Sequence, residues 1–308
     1  MLSPAATHPR HPVRLRRSVL CLPADNARAL AKTTTLPIDA VIYDLEDAVL
    51  PEAKAQARAM LVAHLSDGAE RPFERIVRIN SLHEETGRRD LMAIAPLKPD
   101  AILLPKVSGP GDIALAADLL AEMEDGDDIR LWAMIETPQG VLNVAATAEA
   151  GRTRGARLDC LVPGLNDLRK ETGVPAMPGR TYLVPWLMQI LLAARAAGLD
   201  IIDAVFNDFR DAAGLVAECE QGRAMGFDGK MLIHPAQIGP ANAAFGVNAA
   251  ERQAAEAIVA AFALPGNEDR AVITVDGRMV ERLHLVEAER LLARVAAIAA
   301  RTRDPDVI

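Results

Sequence analysis

Eight short apolar runs, each followed by a longer stretch with helical spacing, organise this chain of 308 residues. The runs are Ser18–Leu22, Ala40–Asp44, Arg75–Ile79, Ala101–Leu104, Leu131–Ile135, Leu158–Val162, Ile201–Phe206 and Gly229–Ile233. Runs this short and this continuously apolar suit strands covered on both faces, the condition of a parallel sheet. The intervening segments carry helix signals. Pro51–Leu65 opens with proline at the first helical position, and Asp112–Met123, Pro138–Glu149, Tyr182–Ala197 and Asp208–Met225 repeat the helical pattern. Eight β-then-α units predict a (β/α)₈ TIM barrel. A doubly wound sheet is the competitor, but its phosphate loop after the first strand should be rich in glycine. Here that stretch reads Leu22-Pro23-Ala24-Asp25-Asn26.

The barrel is expected over 15–245, after a disordered leader at 1–14. Helices are expected near 235–245 and 249–263. A Val272–Val275 strand, an Asp276-Gly277 turn and an amphipathic helix over Glu281–Ala300 follow. Residues 246–308 are too few for an independent domain and read as a C-terminal cap.

Charge and composition exclude several function classes. The formal net charge is −8, which disfavours nucleic acid or an anionic membrane as partner. Aromatic residues are only 3%, too few for a base-stacking surface. No apolar run approaches the roughly 20 residues of a membrane span, and the N-terminus lacks a secretory pattern. Cys21, Cys160 and Cys219 lie far apart and have neither zinc spacing nor a disulfide framework. A cytoplasmic protein is expected.

Barrel enzymes work at the C-terminal ends of their strands, and here nearly every run ends on an ionisable or polar group. The second ends in Asp44-Leu45-Glu46-Asp47 and the third in Arg78-Ile79-Asn80. The fourth ends in Pro105-Lys106 and the fifth in Glu136-Thr137-Pro138. The sixth leads into Gly164-Leu165-Asn166-Asp167, the seventh into Asn207-Asp208, and the eighth ends in His234-Pro235. Glu136 and Asp167, from successive strand ends, form the carboxylate pair that Mg²⁺ needs. Arg78 is placed to balance a substrate carboxylate or oxyanion. Each has a structural alternative. Glu136 can pair with Arg78 or Lys106, Asp167 can cap a helix, and one of Asp44, Glu46 and Asp47 can cap the next helix or pair with a barrel arginine. Lys106 and Lys230 can be rim ion pairs or ligand contacts, and His234 can be a strand-end hydrogen-bonding residue.

The strand-end segments resemble those of the HpcH/HpaI aldolase/citrate lyase family, in its citrate lyase beta-subunit-like branch, where malyl-CoA and citramalyl-CoA lyases also fall. Arg17 to Pro23 is similar to that family's RSxLxxP opening, and Asp44 to Val49 to its DLEDAV block. Arg78-Ile79-Asn80, Leu104-Pro105-Lys106 and Ile135-Glu136-Thr137 follow in order. So do Gly164 to Gly173 and the segment from Gly226 to Ile238. The resemblance runs from about 16 to 300.

It implies a trimeric or hexameric barrel that uses Mg²⁺, with Mn²⁺ as a substitute. The implied reaction cleaves or forms a carbon–carbon bond in a 3-hydroxyacyl thioester such as citryl-, malyl- or citramalyl-CoA, giving a keto acid and an acyl thioester through an enolate. Carried over, Glu136 and Asp167 are metal ligands, Arg78 contacts the substrate carboxylate and oxyanion, and Glu46 and Asp47 order metal waters or the arginine. The CoA or carrier arm is expected near Arg17, Lys106, Lys230 and His234. The family's C-terminal segment places an aspartate as acid/base in a neighbouring active site. Glu281 stands at that position here, and the usual proline is missing. Two alternatives stay open: a metal-dependent pyruvate-type aldolase acting on free hydroxy-keto acids, and a thioester-binding subunit inactive without its lyase-complex partners.

Overall fold

The computed structural model describes residues 14–66, 71–124, 126, 128–153 and 155–302. The expected disordered leader, save residue 14, lies outside them. Two compact units emerge, Arg16–Phe245 and a smaller one built on Gly246 onward.

In the larger unit eight strands close into a parallel barrel in sequence order. They are β1 Ser18–Pro23, β2 Ala40–Asp44, β3 Glu74–Arg78, β4 Ala101–Leu104, β5 Arg130–Ile135, β6 Leu158–Pro163, β7 Asp200–Asp203 and β8 Gly229–Leu232. Each matches one of the apolar runs to within a few residues. The last strand closes the ring by pairing Ser18 with Lys230 and Leu20 with Leu232. Helices α1 Ala27–Lys32, α2 Lys54–Leu65, α3 Glu85–Ile94, α4 Pro110–Ala121, α5 Pro138–Ala150, α6 Leu165–Thr172, α7 Val184–Ala197, α8 Ala212–Met225 and α9 Ile238–Ala244 fill the connections.

Strand period two divides the apolar residues into two cores. Val19, Ile42, Ile76, Leu103, Trp132, Met134, Val162, Ile202 and Met231 fill the barrel interior. The alternate residues, among them Val41, Val77, Ile102, Leu131, Leu161, Ile201 and Leu232, pack outward under the helices. Continuing the same phase past the interior apolar residues turns three polar side chains inward. Asp44 follows Ile42, Arg78 follows Ile76, and Glu136 follows Met134 by two residues.

Two helices run counter to the sequence pattern. Gly87 sits inside α3, where an added Cβ would lie 2.2 Å from the Ser81 carbonyl oxygen, so the helix accepts a poor helix former to approach that loop. The short α6 is polar and begins directly after Gly164.

The smaller unit holds α10 Ala249–Phe262, the strands β9 Val272–Val275 and β10 Arg278–Glu281, and α11 Arg282–Thr302. The strands form an antiparallel hairpin about Asp276-Gly277, both at positive φ. Phe262, Ile273 and Val280 make its core. Here the expectation that Glu281 opens the last helix is corrected. Glu281 ends β10, with its backbone opposite Val272, and the helix starts at Arg282. Its backbone N–H donates to His284 Nδ1 at 2.9 Å.

Candidate active site

A cavity of about 480 Å³ opens at the C-terminal ends of the barrel strands. Its lining includes Cys21, Asp44, Asp47, Arg78, Met134, Glu136, Gly164, Asn166, Asp167 and Asn207. Volume and position match a small-molecule site in a barrel.

Arg78 and Asp44 are the last residues of neighbouring strands and stand opposite each other in register. Arg78 Nε donates to Asp44 Oδ1 at 2.7 Å, and Nη2 donates to Oδ2. The same Asp44 carboxylate accepts the backbone N–H groups of Glu46 (2.8 Å) and Ala48 (3.1 Å). It therefore shapes the turn and holds the guanidinium at once, an Asx-type arrangement. Asp44 is thus the acid of its cluster that caps a turn and pairs with a barrel arginine. Arg78 Nη1 has weaker partners, Met134 Sδ at 3.4 Å and Glu46 Oε2 at 3.3 Å, and the residue lines the cavity. Burial opposes the guanidinium charge, but Asp44 outweighs it and holds Arg78 firmly protonated.

Glu136 is fully buried between the end of β5 and the start of α5. Thr137 caps that helix by accepting Gly140 N–H at 3.0 Å, and Pro138 follows, so the chain around the glutamate is stiff. Glu136 Oε1 accepts the backbone N–H of Lys106 at 2.8 Å. That N–H points inward because Lys106 has φ +50°, a left-handed conformation unusual for a residue with a side chain. Oε2 of Glu136 is buried and has no hydrogen-bond partner among the described residues. The glutamate lies tight against Gly164, where an added Cβ would come within 2.4 Å of its own Cβ. Burial, only partly offset by Arg78 and the Lys106 N–H, pushes its carboxyl up to about 7.

Asp167 sits in the first turn of α6, half-buried on the cavity wall. Gly164 N–H donates to Ile135 O at 3.0 Å and ties this turn to the end of β5. The Asp167 carboxylate makes no hydrogen bond or ion pair among the described residues. An orphaned buried oxygen on Glu136 and an uncommitted carboxylate on Asp167 face one cavity. This is a donor set that a hard divalent cation would satisfy. Among the described residues no group of three or more His, Cys, Asp or Glu side chains could hold a metal, so water and substrate oxygens would have to complete the coordination.

Glu46, Asp47 and Lys106 form the rim. Lys106 Nζ donates to Glu46 Oε1 and lies 3.4 Å from Asp47 Oδ1. Burial pushes the Glu46 carboxyl up against the pull of Arg78 and Lys106. Asp47 is held below its ordinary range. Burial works against this, but the hydrogen bond with Glu46 and the Lys106 cation prevail.

Three of the basic residues expected along a thioester arm are otherwise engaged. Lys106 offers the site its backbone while its ammonium serves the two rim acids. Arg17 is corrected to the opposite end of the barrel. It precedes β1 and forks onto Asp39, itself just before β2, with Nε to Oδ2 at 2.7 Å. Lys230 is also corrected. It is out of phase with the inward Met231 and points into the helix layer, fully buried. There it donates to Asp203 Oδ2 (3.1 Å), Glu218 Oε1 (2.8 Å) and Ala204 O (2.7 Å). His234 does stay at the rim. Its Nδ1 accepts Ala236 N–H at 3.2 Å, and its ring stacks on Phe209 with centroids 4.6 Å apart. Sequence reading passed over Asn166 and Asn207, whose amides hydrogen-bond reciprocally at 3.2 and 2.8 Å across the cavity rim. Their places after the sixth and seventh strands were the available signal.

The HpcH/HpaI aldolase/citrate lyase family model matches residues 17–235. A (3S)-malyl-CoA thioesterase of Cereibacter sphaeroides is 47% identical over 293 residues, covering 95% of this chain and 98% of the relative. The mitochondrial citramalyl-CoA lyase of Homo sapiens is 31% identical, covering 92% of this chain and 86% of that protein. Among solved structures, the protein CitE from Mycobacterium tuberculosis in complex with magnesium, acetoacetate and coenzyme A is similar with a TM-score of 0.72 and 29% identity, covering 91% of this chain and 97% of that one. No helix among the described residues is long and apolar enough to cross a membrane.

Proposed function

The chain belongs to the HpcH/HpaI aldolase/citrate lyase family, and from that premise we propose that it is a Mg²⁺-dependent enzyme acting on the CoA thioester of a 3-hydroxy diacid of the malyl class. The observation that carries the reading is the Glu136–Asp167 pair, a buried oxygen without a partner and an uncommitted carboxylate in one cavity that Arg78 also lines. Glu136 and Asp167 are the ligands in this reading. When bound, Mg²⁺ supplies Lewis-acid polarisation of the substrate's carboxylate and hydroxyl oxygens.

Two bonds of such a substrate can break here. In hydrolysis, water oxygen adds to the thioester carbonyl, the carbon–sulfur bond breaks, and the thiolate leaves and takes a proton. Arg78, on the cavity lining, holds the carbonyl oxygen as it gains charge. Asp47, kept ionised on the lining, is the acceptor for the water proton. In lyase cleavage the hydroxyl loses its proton and the carbon–carbon bond breaks. An oxo acid leaves, and the enolate of the shorter thioester must be protonated at carbon. Glu281 is the acid that the resemblance assigns to that last step. The thioesterases at 47% identity favour hydrolysis, and so does the replacement of the family's aspartate at that position by Glu281, because hydrolysis needs no carbon acid. The lyase relatives at 31% keep carbon–carbon cleavage as the second reading.

The test is product analysis. Purified protein is incubated with malyl-CoA, with and without Mg²⁺, and free thiol and oxo acid are both measured. Mg²⁺-dependent thiol release without oxo acid supports hydrolysis. Oxo acid without thiol supports lyase cleavage. Thiol release that survives Mg²⁺ removal and Glu136→Gln would sink the metal assignment. A homotrimer or homohexamer remains part of the proposal, to be checked by light scattering.

A further inference from the structure

The sixth and seventh strands part below the site. The β5–β6 pairing runs up to Ile135 and Pro163, the last residues of those strands. The β6–β7 pairing ends at Leu161 and Ile201, two residues short of the end of each strand. Asp167 follows the free end of β6 by four residues. Its helix is tied toward β5 by the Gly164 N–H bond to Ile135 O. Gly164, however, gives the first turn of α6 no side-chain cap.

The seam is bridged from side to side by two amides. Asn166 Nδ2 donates to Asn207 Oδ1 at 3.2 Å, and Asn207 Nδ2 donates to Asn166 Oδ1 at 2.8 Å. Asn166 belongs to the first turn of α6, and Asn207 to the loop after β7. That loop is itself held. Gln237, fully buried, donates Nε2–H to the Phe206 carbonyl at 2.9 Å. Its Oε1 accepts the N–H groups of Ile233 and His234 at 2.9 and 3.2 Å. A hydrogen-bonded path therefore leads from the loop after β8, through Phe206-Asn207 and Asn166, to the residue beside Asp167.

Stability does not account for the two asparagines. Both are exposed, and an exposed hydrogen bond trades with water at little net gain. Both also line the cavity, where Asp44, Asp47, Glu136 and Asp167 already gather. An ion pair would join the two loops as well, but it would set further charges beside those carboxylates. A neutral amide pair fixes geometry without changing the charge of the wall.

We infer that Asn166 and Asn207 are positioning residues for Asp167. Their amide pair, anchored by Gln237, closes the β6–β7 seam and holds the first turn of α6 where its carboxylate can share a cation with Glu136. This rests on the metal reading above and adds the residues that set the geometry of one ligand. Groups that orient a ligand without touching the metal typically contribute about 10- to 100-fold in metal affinity.

The experiment titrates Mg²⁺ alone, by calorimetry, into the full-length protein and into Asn166→Ala, Asn207→Ala, their double variant and Asp167→Asn, with a thermal melt of each. Each single asparagine variant should weaken Mg²⁺ roughly 10-fold with little change in Tm. The double variant should bind no more weakly than the singles, because either substitution removes the whole pair. Hydrogen exchange of the metal-free protein should quicken over 165–172 in all three. Unchanged Mg²⁺ affinity in the asparagine variants, with or without a fall in Tm, overturns the positioning role when Asp167→Asn binds poorly. Additive losses in the double variant overturn the pair as the acting unit. Wild-type affinity in Asp167→Asn overturns the metal reading itself, a separate outcome.

Discussion

The two ends of the barrel treat buried charge in opposite ways. At the N-terminal end, Arg16 is 3% exposed and its guanidinium is fully used. Nε and Nη2 fork onto Glu74, Nη2 also reaches Asp159, Nη1 donates to Asp200 at 2.7 Å, and the group lies 4.7 Å from the centre of the Trp132 ring. At the C-terminal end, Glu136 keeps a buried oxygen without a partner and Asp167 keeps a bare carboxylate. Both ends gather charges from several strands, so clustering alone does not mark a site. The distinguishing feature is whether the cluster closes on itself. A saturated network holds the structure together, and an unsaturated one awaits a ligand.

The largest expected effect is at the open end. Glu136→Gln should lower Mg²⁺-dependent turnover roughly 10³-fold or more, because it removes a proposed ligand, while the metal-free protein stays folded. Steady-state kinetics and a thermal melt on the same preparation check both halves. At the closed end the effect should be reversed. Arg16→Met leaves buried acids without their cation and should cost about 3–5 kcal/mol, a fall in Tm of roughly 6–20 °C, with specific activity per folded molecule unchanged. Loss of turnover without loss of Tm in this variant would break the comparison.

A pH titration sharpens it further. The Glu136 carboxyl lies near 7 in the fold against an ordinary value of 4.5. The native state therefore holds this proton more tightly than the unfolded chain, and stability is lost as pH rises between those values. The lost contribution is at most about 3 kcal/mol. In the absence of metal, wild type should fall relative to Glu136→Gln as pH goes from 5 to 8, and Mg²⁺ should narrow the gap by stabilising wild type alone. Parallel pH curves for the two proteins would mean that this carboxylate is not strained by burial.

The smallest expected effect is at Lys106. Both Lys106→Gly and Lys106→Ala lose the ammonium, but only glycine takes φ +50° freely, at an advantage of about 1 kcal/mol. Lys106→Gly should thus turn over severalfold faster than Lys106→Ala. Equal rates would remove the backbone from the account of how Glu136 is held.

Much of this was legible in the residues. The eight apolar runs are the eight strands, and the strand-end rule brought Arg78, Glu136 and Asp167 to one cavity. Arg17 and Lys230 were misplaced by attending to motif and neglecting geometry. Arg17 precedes its strand and so belongs to the other end. Lys230 adjoins the inward Met231 and so must face outward. Both positions follow from strand direction and the two-residue alternation. The short α6 and the glycine-bearing α3 were not legible, because local propensity there is overridden by tertiary contacts. The open oxygen of Glu136 was invisible to sequence, since it depends on which groups fail to reach it.

Gly164 bears on what this site can become. A side chain at 164 would occupy the space of the Glu136 carboxylate, so residue 164 cannot grow while the glutamate stays. A library that randomises residue 164 to reshape the acyl pocket would mostly recover proteins with a displaced glutamate. In a descendant lineage the order of change is fixed in the same way. The carboxylate must go first, and only then can a larger residue enter at 164. Once it has entered, restoring the glutamate alone no longer restores the site, so loss of this chemistry works as a ratchet.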